Sequence, residues 1–399
     1  MLFSRSGWAA IRSTGRDHRF NSPVPRDTRP VFFGTRMKPT GINRIAQLAN
    51  VTKGTVDRAL HGRPGISEVT RKKILRIAKR LAYTPHPAAR VLSIGRASLR
   101  IGICIPEELH LFYDQMRAGI FDEARRLHGL GVEIIYMPVP LFGAGEKERV
   151  IELLDRGVNA LAVTPGDPKS VRASIERAEK KNVRVICLTT DAPQSGRSGV
   201  VCVNPGLSGH LAAELMADFV PSGSQVALIT GMHTAEEHRL KTEAFCAAFP
   251  KECSGGEIVA VLEAHESVKE SYRKTSKLLA DYPDLSGIYV STVNCLPVCR
   301  ALHAYKRAGK VRLITTDLFP EMVPHIKRKT IQASIYQDPY LQGQTAVRLL
   351  ADFLLNGIAI PNSNYLNPGI ALRSNLSLFR EVQGKNGHGR LATLPPRIA

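Results

Sequence analysis

From residue 99 onward the chain alternates short apolar runs with amphipathic stretches, and that alternation leaves few folds open. Strand-like runs rich in Val, Ile and Leu fall at residues 100–105, 132–137, 160–164, 183–188, 200–203, 225–229, 257–262, 287–290, 312–315 and 333–335. Between most of them lie helix-period segments, at 116–128, 150–156, 170–181, 207–219, 240–249 and 272–282. Strands that alternate with helices connect by right-handed crossovers and form parallel sheets. Ten strands over a stretch this long suit two doubly wound lobes better than one sheet. In such folds ligands sit at the carboxyl ends of strands and between lobes.

A different texture precedes this body. Ile42, Ile45, Ala46 and Ala49 lie on one helical face, and Asn50-Val51 breaks the pattern. Thr52 can cap a second helix from Lys53 to about Leu60, with Val56, Ala59 and Leu60 inward. After the turn-rich 61–65, Ser67 can cap a third helix to about Leu81, with Ile74, Ile77, Ala78 and Leu81 inward. Three short helices with a tight turn between the first two predict an all-α helix-turn-helix head.

Charge separates the two parts. Of the formal net charge of +20, residues 37–98 carry +11 and residues 1–36 carry +5, leaving +4 for the rest. A compact basic module on a near-neutral body predicts a polyanion-binding head. Residues 1–36 show no periodicity and contain Pro23, Pro25 and Pro30, so they read as a disordered extension. Because the ordered pattern begins at Met37, a native start there is open, as is a transit peptide. Residues 381–399 read as a flexible tail.

Other classes find little support. No run approaches ~18 apolar residues, so no membrane helix is expected. The seven cysteines, odd in number and mostly within apolar runs, read as reduced thiols in a cytosol. Neither a dinucleotide-binding glycine fingerprint, nor a phosphate-binding P-loop, nor a nucleophile elbow is present. Cys295 and Cys299 lack a second ligand pair, so no metal site is expected. Catalytic residues and cofactors are expected to be absent. A free-standing small-molecule receptor remains the alternative, against which the basic helical head argues.

The segment from Ile42 to Arg96 resembles the DNA-binding head of the LacI/GalR family of bacterial transcriptional regulators. The matching pieces are the Ile-x-x-Ile-Ala-x-x-Ala opening, Val51-Thr52 at the turn, Thr55-Val56 and Arg58, Tyr83-x-Pro, and Ala89-Arg90-x-Leu92. The body resembles the family's effector domain, related to type I periplasmic sugar-binding proteins, through 158–165, 183–193, 228–231, Thr316-Asp317 and 332–339. The resemblance implies a head at 37–84, a hinge helix and linker at 85–98, and an effector-binding and dimerisation domain at 99–380. Its first lobe would take 99–204 plus 338–362, and its second 205–337 plus 363–380.

A helix-turn-helix lays its second helix in the major groove. Here that helix would offer Thr52, Lys53, Gly54, Thr55, Asp57 and Arg58, with Lys53 and Arg58 suited to guanine O6/N7. Gly54 stands where the family commonly has a base-reading side chain, and Asp57 where it often has Ser, so an unusual base preference is expected. By resemblance, Ala89, Arg90 and Leu92 lie on a hinge helix that orders on DNA, with Leu92 wedged into the minor groove. In the body, Phe112 and Tyr113 would form an aromatic wall. Asp114, Thr189, Asp191, Arg239, Lys241, Asn294, Asp317 and Gln337 would supply polar groups to a neutral, hydroxyl-rich molecule. The resemblance thus implies a cytoplasmic, nucleoid-associated bacterial repressor. Its expected partners are double-stranded operator DNA, a carbohydrate-like effector and a second copy of itself, with a tetramer open.

Overall fold

A computed structural model describes residues 42–60, 64–81 and 99–379, and the chain divides into two compact units near residue 84. The hinge residues Ala89, Arg90 and Leu92, with the rest of 82–98, lie outside the described residues, as do 1–41 and 380–399.

The first unit is the three-helix head. Helix α1 (Ile42–Ala49) contributes Ile45, Ala46 and Ala49 to its core, α2 (Lys53–Leu60) contributes Val56 and Ala59, and α3 (Glu68–Arg80) contributes Ile74 and Ala78. These are the inward positions that the helical spacing selects. The turn between α1 and α2 is made by Asn50 at φ 56°, in the left-handed region where Asn is tolerated. Thr52 Oγ1 then accepts from the Thr55 amide at 3.2 Å, and Ser67 Oγ accepts from the Thr70 amide at 3.2 Å. Each satisfies a donor that a helix start leaves unpaired. Lys73 Nζ donates to the Ala49 carbonyl at 3.0 Å, where α1 presents unpaired carbonyls.

The second unit holds two six-stranded sheets. The first lobe runs β1 (Leu99–Cys104), α4 (His110–Leu127), β2 (Val132–Tyr136), α5 (Glu146–Asp155), β3 (Ala160–Val163), α6 (Pro168–Lys180), β4 (Arg184–Leu188) and β5 (Gly199–Val203). The second runs α7 (Pro205–Phe219), β6 (Gln225–Thr230), α8 (Glu236–Glu252), β7 (Glu257–Glu263), α9 (Val268–Asp281), β8 (Gly287–Val290), α10 (Cys295–Ala304), β9 (Arg312–Thr316), α11 (Val323–Lys327) and β10 (Ala333–Tyr336). Helix α12 (Pro339–Asn356) returns to pack on α4 of the first lobe. Strand order is β11-β5-β4-β3-β1-β2 in one sheet and β12-β10-β9-β8-β6-β7 in the other, where β11 is Ser363–Leu366 and β12 is Gly369–Ala371. All pairings are parallel except β12 on β10.

The ten strands expected from apolar runs are present. Strands β11 and β12 were not anticipated: both are short edge strands, and Ser363-Asn364-Tyr365-Leu366 alternates exposed and half-buried residues instead of forming an apolar run. They correct one lobe boundary. Because β11 pairs with β5, residues 363–366 belong to the first lobe, and the last crossover follows Leu366 rather than residue 362. Several helices also begin earlier than their apolar periodicity, since their first turns are polar: α8 opens on Glu236-Glu237 and α5 on Glu146. Among the described residues no helix is long and apolar enough to cross a membrane.

Candidate DNA-binding face and ligand cleft

On α2 the side chains divide cleanly. Val56 and Ala59 are buried, while Thr52, Lys53, Gly54 and Arg58 are exposed and Thr55 and Asp57 are half-buried. The base-reading candidates therefore share the outer side of one helix, whose first turn leaves backbone N–H groups open to a phosphate. A Cβ added at Gly54 meets nothing nearer than Thr52 Oγ1 at 3.9 Å, so packing does not require glycine there.

In the second unit the strand ends of the two lobes face each other across a cleft. The first lobe lines it with Leu109, Phe112 and Tyr113 at the start of α4, with Phe142, and with Thr189 and Thr190 after β4. The second lobe adds Glu237, His238 and Lys241 from α8, Glu266 after β7, Ser291 to Val293 after β8, Asp317 after β9 and Gln337 after β10. About 40 Å³ remains open among these side chains, room for about three or four waters at roughly 10–15 Å³ each, and a wider opening of about 760 Å³ lies beside it, lined by Arg172 and Gln194 of the first lobe and His233, Arg239 and Glu263 of the second. The lobes are drawn together: Phe142 meets the His238 ring at 5.8 Å, and Thr190 Oγ1 accepts from the Glu237 amide at 3.2 Å.

Thr189, Glu266 and Asp317 have φ of 72°, 52° and 70°. This region is disfavoured for side-chain-bearing residues, and strain of this kind concentrates at ligand sites. Two glycines make room for the polar wall. A Cβ at Gly231 would fall on Glu266 Oε1 and about 2.5 Å from the His238 ring, and a Cβ at Gly209 would sit 2.5 Å from the Lys241 carbonyl.

Each charged group in the cleft is held. Lys241 Nζ lies 2.5 Å from Glu237 Oε1 and donates to the Ser291 carbonyl at 2.7 Å. Burial pulls the Lys241 ammonium down, but Glu237, Tyr289 and Asp317 outweigh it and hold it above the usual lysine value. His238 Nδ1 lies 3.0 Å from the Met232 amide nitrogen and 3.2 Å from the Met232 carbonyl, which turns the ring's other nitrogen, Nε2, toward two carboxylates. That Nε2 faces Glu237 Oε2 at 3.4 Å and Glu266 Oε1 at 3.5 Å. Glu266 accepts from Thr292 Oγ1 at 2.6 Å and Asn294 Nδ2 at 3.0 Å. Asp317 Oδ1 accepts from Gln337 Nε2 at 2.9 Å. Burial, reinforced by Glu237 and Glu266 against the opposing Lys241 and Gln337, pushes the Asp317 carboxyl up to about 7. The Tyr113 phenol is raised well above its ordinary value, chiefly by burial and then by Glu266 and Glu237.

Residues 41–86 match the profile described as bacterial regulatory proteins of the lacI family, and residues 101–357 match that of a periplasmic binding protein domain. Catabolite control protein A of Staphylococcus aureus is 23% identical over 344 residues, covering 81% of this chain and 95% of that protein, and so spans both segments. The chain belongs to the LacI/GalR family. The ribose import binding protein RbsB of Bacillus subtilis is 24% identical over 264 residues, 66% of this chain and 84% of that one. Among solved structures, the Caulobacter myo-inositol binding protein superposes with a TM-score of 0.67 at 20% identity, covering 72% of this chain and 97% of its own. A Burkholderia graminis solute binding protein in complex with D-arabinose gives 0.66 at 23% identity, over 70% and 97%. The similar proteins are regulators and sugar-binding proteins rather than enzymes.

In this LacI/GalR-family chain, Phe112, Tyr113, Thr189, Lys241, Asp317 and Gln337 come together in the cleft, and the other expected effector residues do not line it. Asp114 faces outward on α4 and pairs with Arg117 and His110. Asp191 is held by Arg197 through both carboxylate oxygens at 2.5 Å, so it ties down a loop. Arg239 lines the wider opening beside this cleft instead, paired with Glu236 at 2.7 Å and Glu243 at 2.6 Å. Asn294 is buried beneath Glu266 and supports that carboxylate. Sequence reasoning missed Glu237, His238 and Glu266. The acidic pair Glu236-Glu237 at the start of α8 was the available signal, since acidic residues favour a helix N-terminus. With that start, Glu237 and Lys241 fall four apart on one face.

Proposed function

We propose that this protein is a ligand-controlled repressor that binds a palindromic operator as a homodimer in the bacterial cytoplasm. Lys53 and Arg58 read base edges, Thr52 and Thr55 anchor phosphates, and the two-lobed unit is a receptor for a hydroxyl-rich small molecule, a carbohydrate or derivative. The observation that carries the reading is the exposed run Thr52-Lys53-Gly54 with Arg58 on the outer side of α2, within the lacI-family segment. The ligand reading is supported by carboxylates, an amide and hydroxyls at strand ends opposite two aromatic rings. It is supported also by relatives named for ribose, D-arabinose and myo-inositol. The cleft then binds and orients, and carries out no reaction. A solute receptor without DNA binding is the second reading, and the basic head disfavours it.

Selection from a random duplex pool at about 150 mM salt tests the proposal. The expected product is a two-fold symmetric sequence bound at least ~10³ more tightly than random DNA. Lys53→Ala and Arg58→Ala should each lose about 1–3 kcal/mol and relax preference at one base pair. Equal affinity for selected and random duplexes would overturn it.

A further inference from the structure

The charged groups of the cleft are unevenly matched. Three carboxyl side chains, Glu237, Glu266 and Asp317, face it against one ammonium, Lys241, and among the described residues no arginine lines it. Glu237 and Asp317 are 5% and 4% exposed, and the Glu266 side chain is 5% exposed. Lys241 already points at Glu237 and the Ser291 carbonyl, so it is largely committed. Glu266 is satisfied by a hydroxyl and an amide, and the nearest ring nitrogen stands 3.5 Å away. Asp317 receives one hydrogen bond, on Oδ1, and its other oxygen has no donor among the described residues. A buried carboxylate in surroundings of low polarity favours a nearby cation.

A second observation points to a ligand at the same place. The Tyr113 ring is 2% exposed, its side chain lines the cavity, and its phenol has no hydrogen-bond partner among the described residues. A buried phenol ordinarily finds one. An open acceptor on Asp317, an unpaired phenol and an aromatic wall form a set with more acceptors than donors. Such a set welcomes O–H and N–H donors and repels anions.

Building on the receptor reading above, we infer that the cleft selects a hydroxyl-rich molecule bearing a protonated amine, an amino sugar in class. It is favoured over the neutral sugar of the same shape and over phosphorylated or carboxylated sugars. In a cleft opened beyond the about 40 Å³ of this structure, the ammonium would be drawn to Glu266 and Asp317, the hydroxyls would donate to the remaining carboxyl oxygens and Tyr113, and Phe112 and Phe142 would cover the ring. A phosphate here would meet three carboxyls with one committed lysine to offset them.

Calorimetry on the full-length protein tests this with D-glucose, D-galactose and D-mannose, each beside its 2-amino and its 6-phosphate derivative. At least one 2-amino sugar should bind ten-fold or more tightly than its parent and its 6-phosphate. Glu266→Gln and Asp317→Asn, each shown to be folded by a melting curve, should weaken that amino sugar at least ten-fold. Neutral parents binding as tightly as the amines, a 6-phosphate binding best, no binding by any amine, or unchanged affinity in both variants would each overturn the inference. Its failure is distinguishable from failure of the regulator reading. If a symmetric duplex is still selected, only the ligand class falls; if none is selected, the regulator falls whatever sugar binds.

Discussion

The two lobes share the order of their five parallel strands and differ in the direction of the sixth, yet they furnish the cleft with opposite chemistry. The first lobe offers Phe112, Tyr113, Phe142 and two threonines. The second offers three carboxyls, a lysine, a histidine and a glutamine. The sheets themselves are apolar in both lobes and interchangeable in kind. The difference lies in the segments that follow the strands, the loops and the first turns of α4 and α8. On the receptor reading, one wall would cover a ligand and the other would hold it by charge. The charged wall should therefore govern stability and pH response, and the aromatic wall should govern affinity with little effect on folding.

The largest expected effect tests the charged wall. Lys241→Met leaves Glu237 buried without its cation and should cost about 3–5 kcal/mol in urea unfolding. Thr190→Val, on the opposite wall, removes only a neutral acceptor and should cost about 1–2 kcal/mol. Equal losses would erase the contrast.

The second effect is a pH dependence. The Asp317 carboxyl moves from 3.8 to about 7 on folding. Between those values the folded state holds more protons than the unfolded one, so stability falls as pH rises through that window. Below the unfolded value the penalty is absent, and above about 7 it is complete. Asp317→Asn should match the parent near pH 4 and exceed it by up to ~4 kcal/mol at pH 8. A constant difference across that range would contradict the assignment.

Smaller effects sharpen the picture. Gly231→Ala drives a methyl into Glu266 and His238, and should cost about 1–3 kcal/mol in melting. Tyr113→Phe should change stability by under ~0.5 kcal/mol, because the phenol makes no internal hydrogen bond, yet weaken ligand binding about ten-fold. A destabilised Tyr113→Phe with unchanged affinity would place the phenol in the scaffold.

Much of this was legible in the residues. The head was fixed by apolar spacing and two hydroxyl caps, and each inward position in α1 to α3 follows from that spacing. In the body, Asp317 and Gln337 were legible because each directly follows an apolar strand run. Asp114 was not, because successive helical residues are turned by about 100°, which sets it outside while Phe112 and Tyr113 face in. The same rotation separates Arg239 from Lys241, two residues apart and on opposite faces of α8. Glu266 was hidden for another reason: it sits in a loop where His265 and Glu266 have φ of 49° and 52°, a conformation no residue pattern announces.

If one chain couples a base-reading head to a ligand-binding cleft, each site must feel the other's occupancy. The most direct measurement titrates the selected duplex against full-length protein with and without saturating ligand, then titrates the ligand with and without saturating duplex. Coupling predicts that each changes the other's dissociation constant by the same factor, about 5–150-fold. Unchanged constants in both titrations would contradict it.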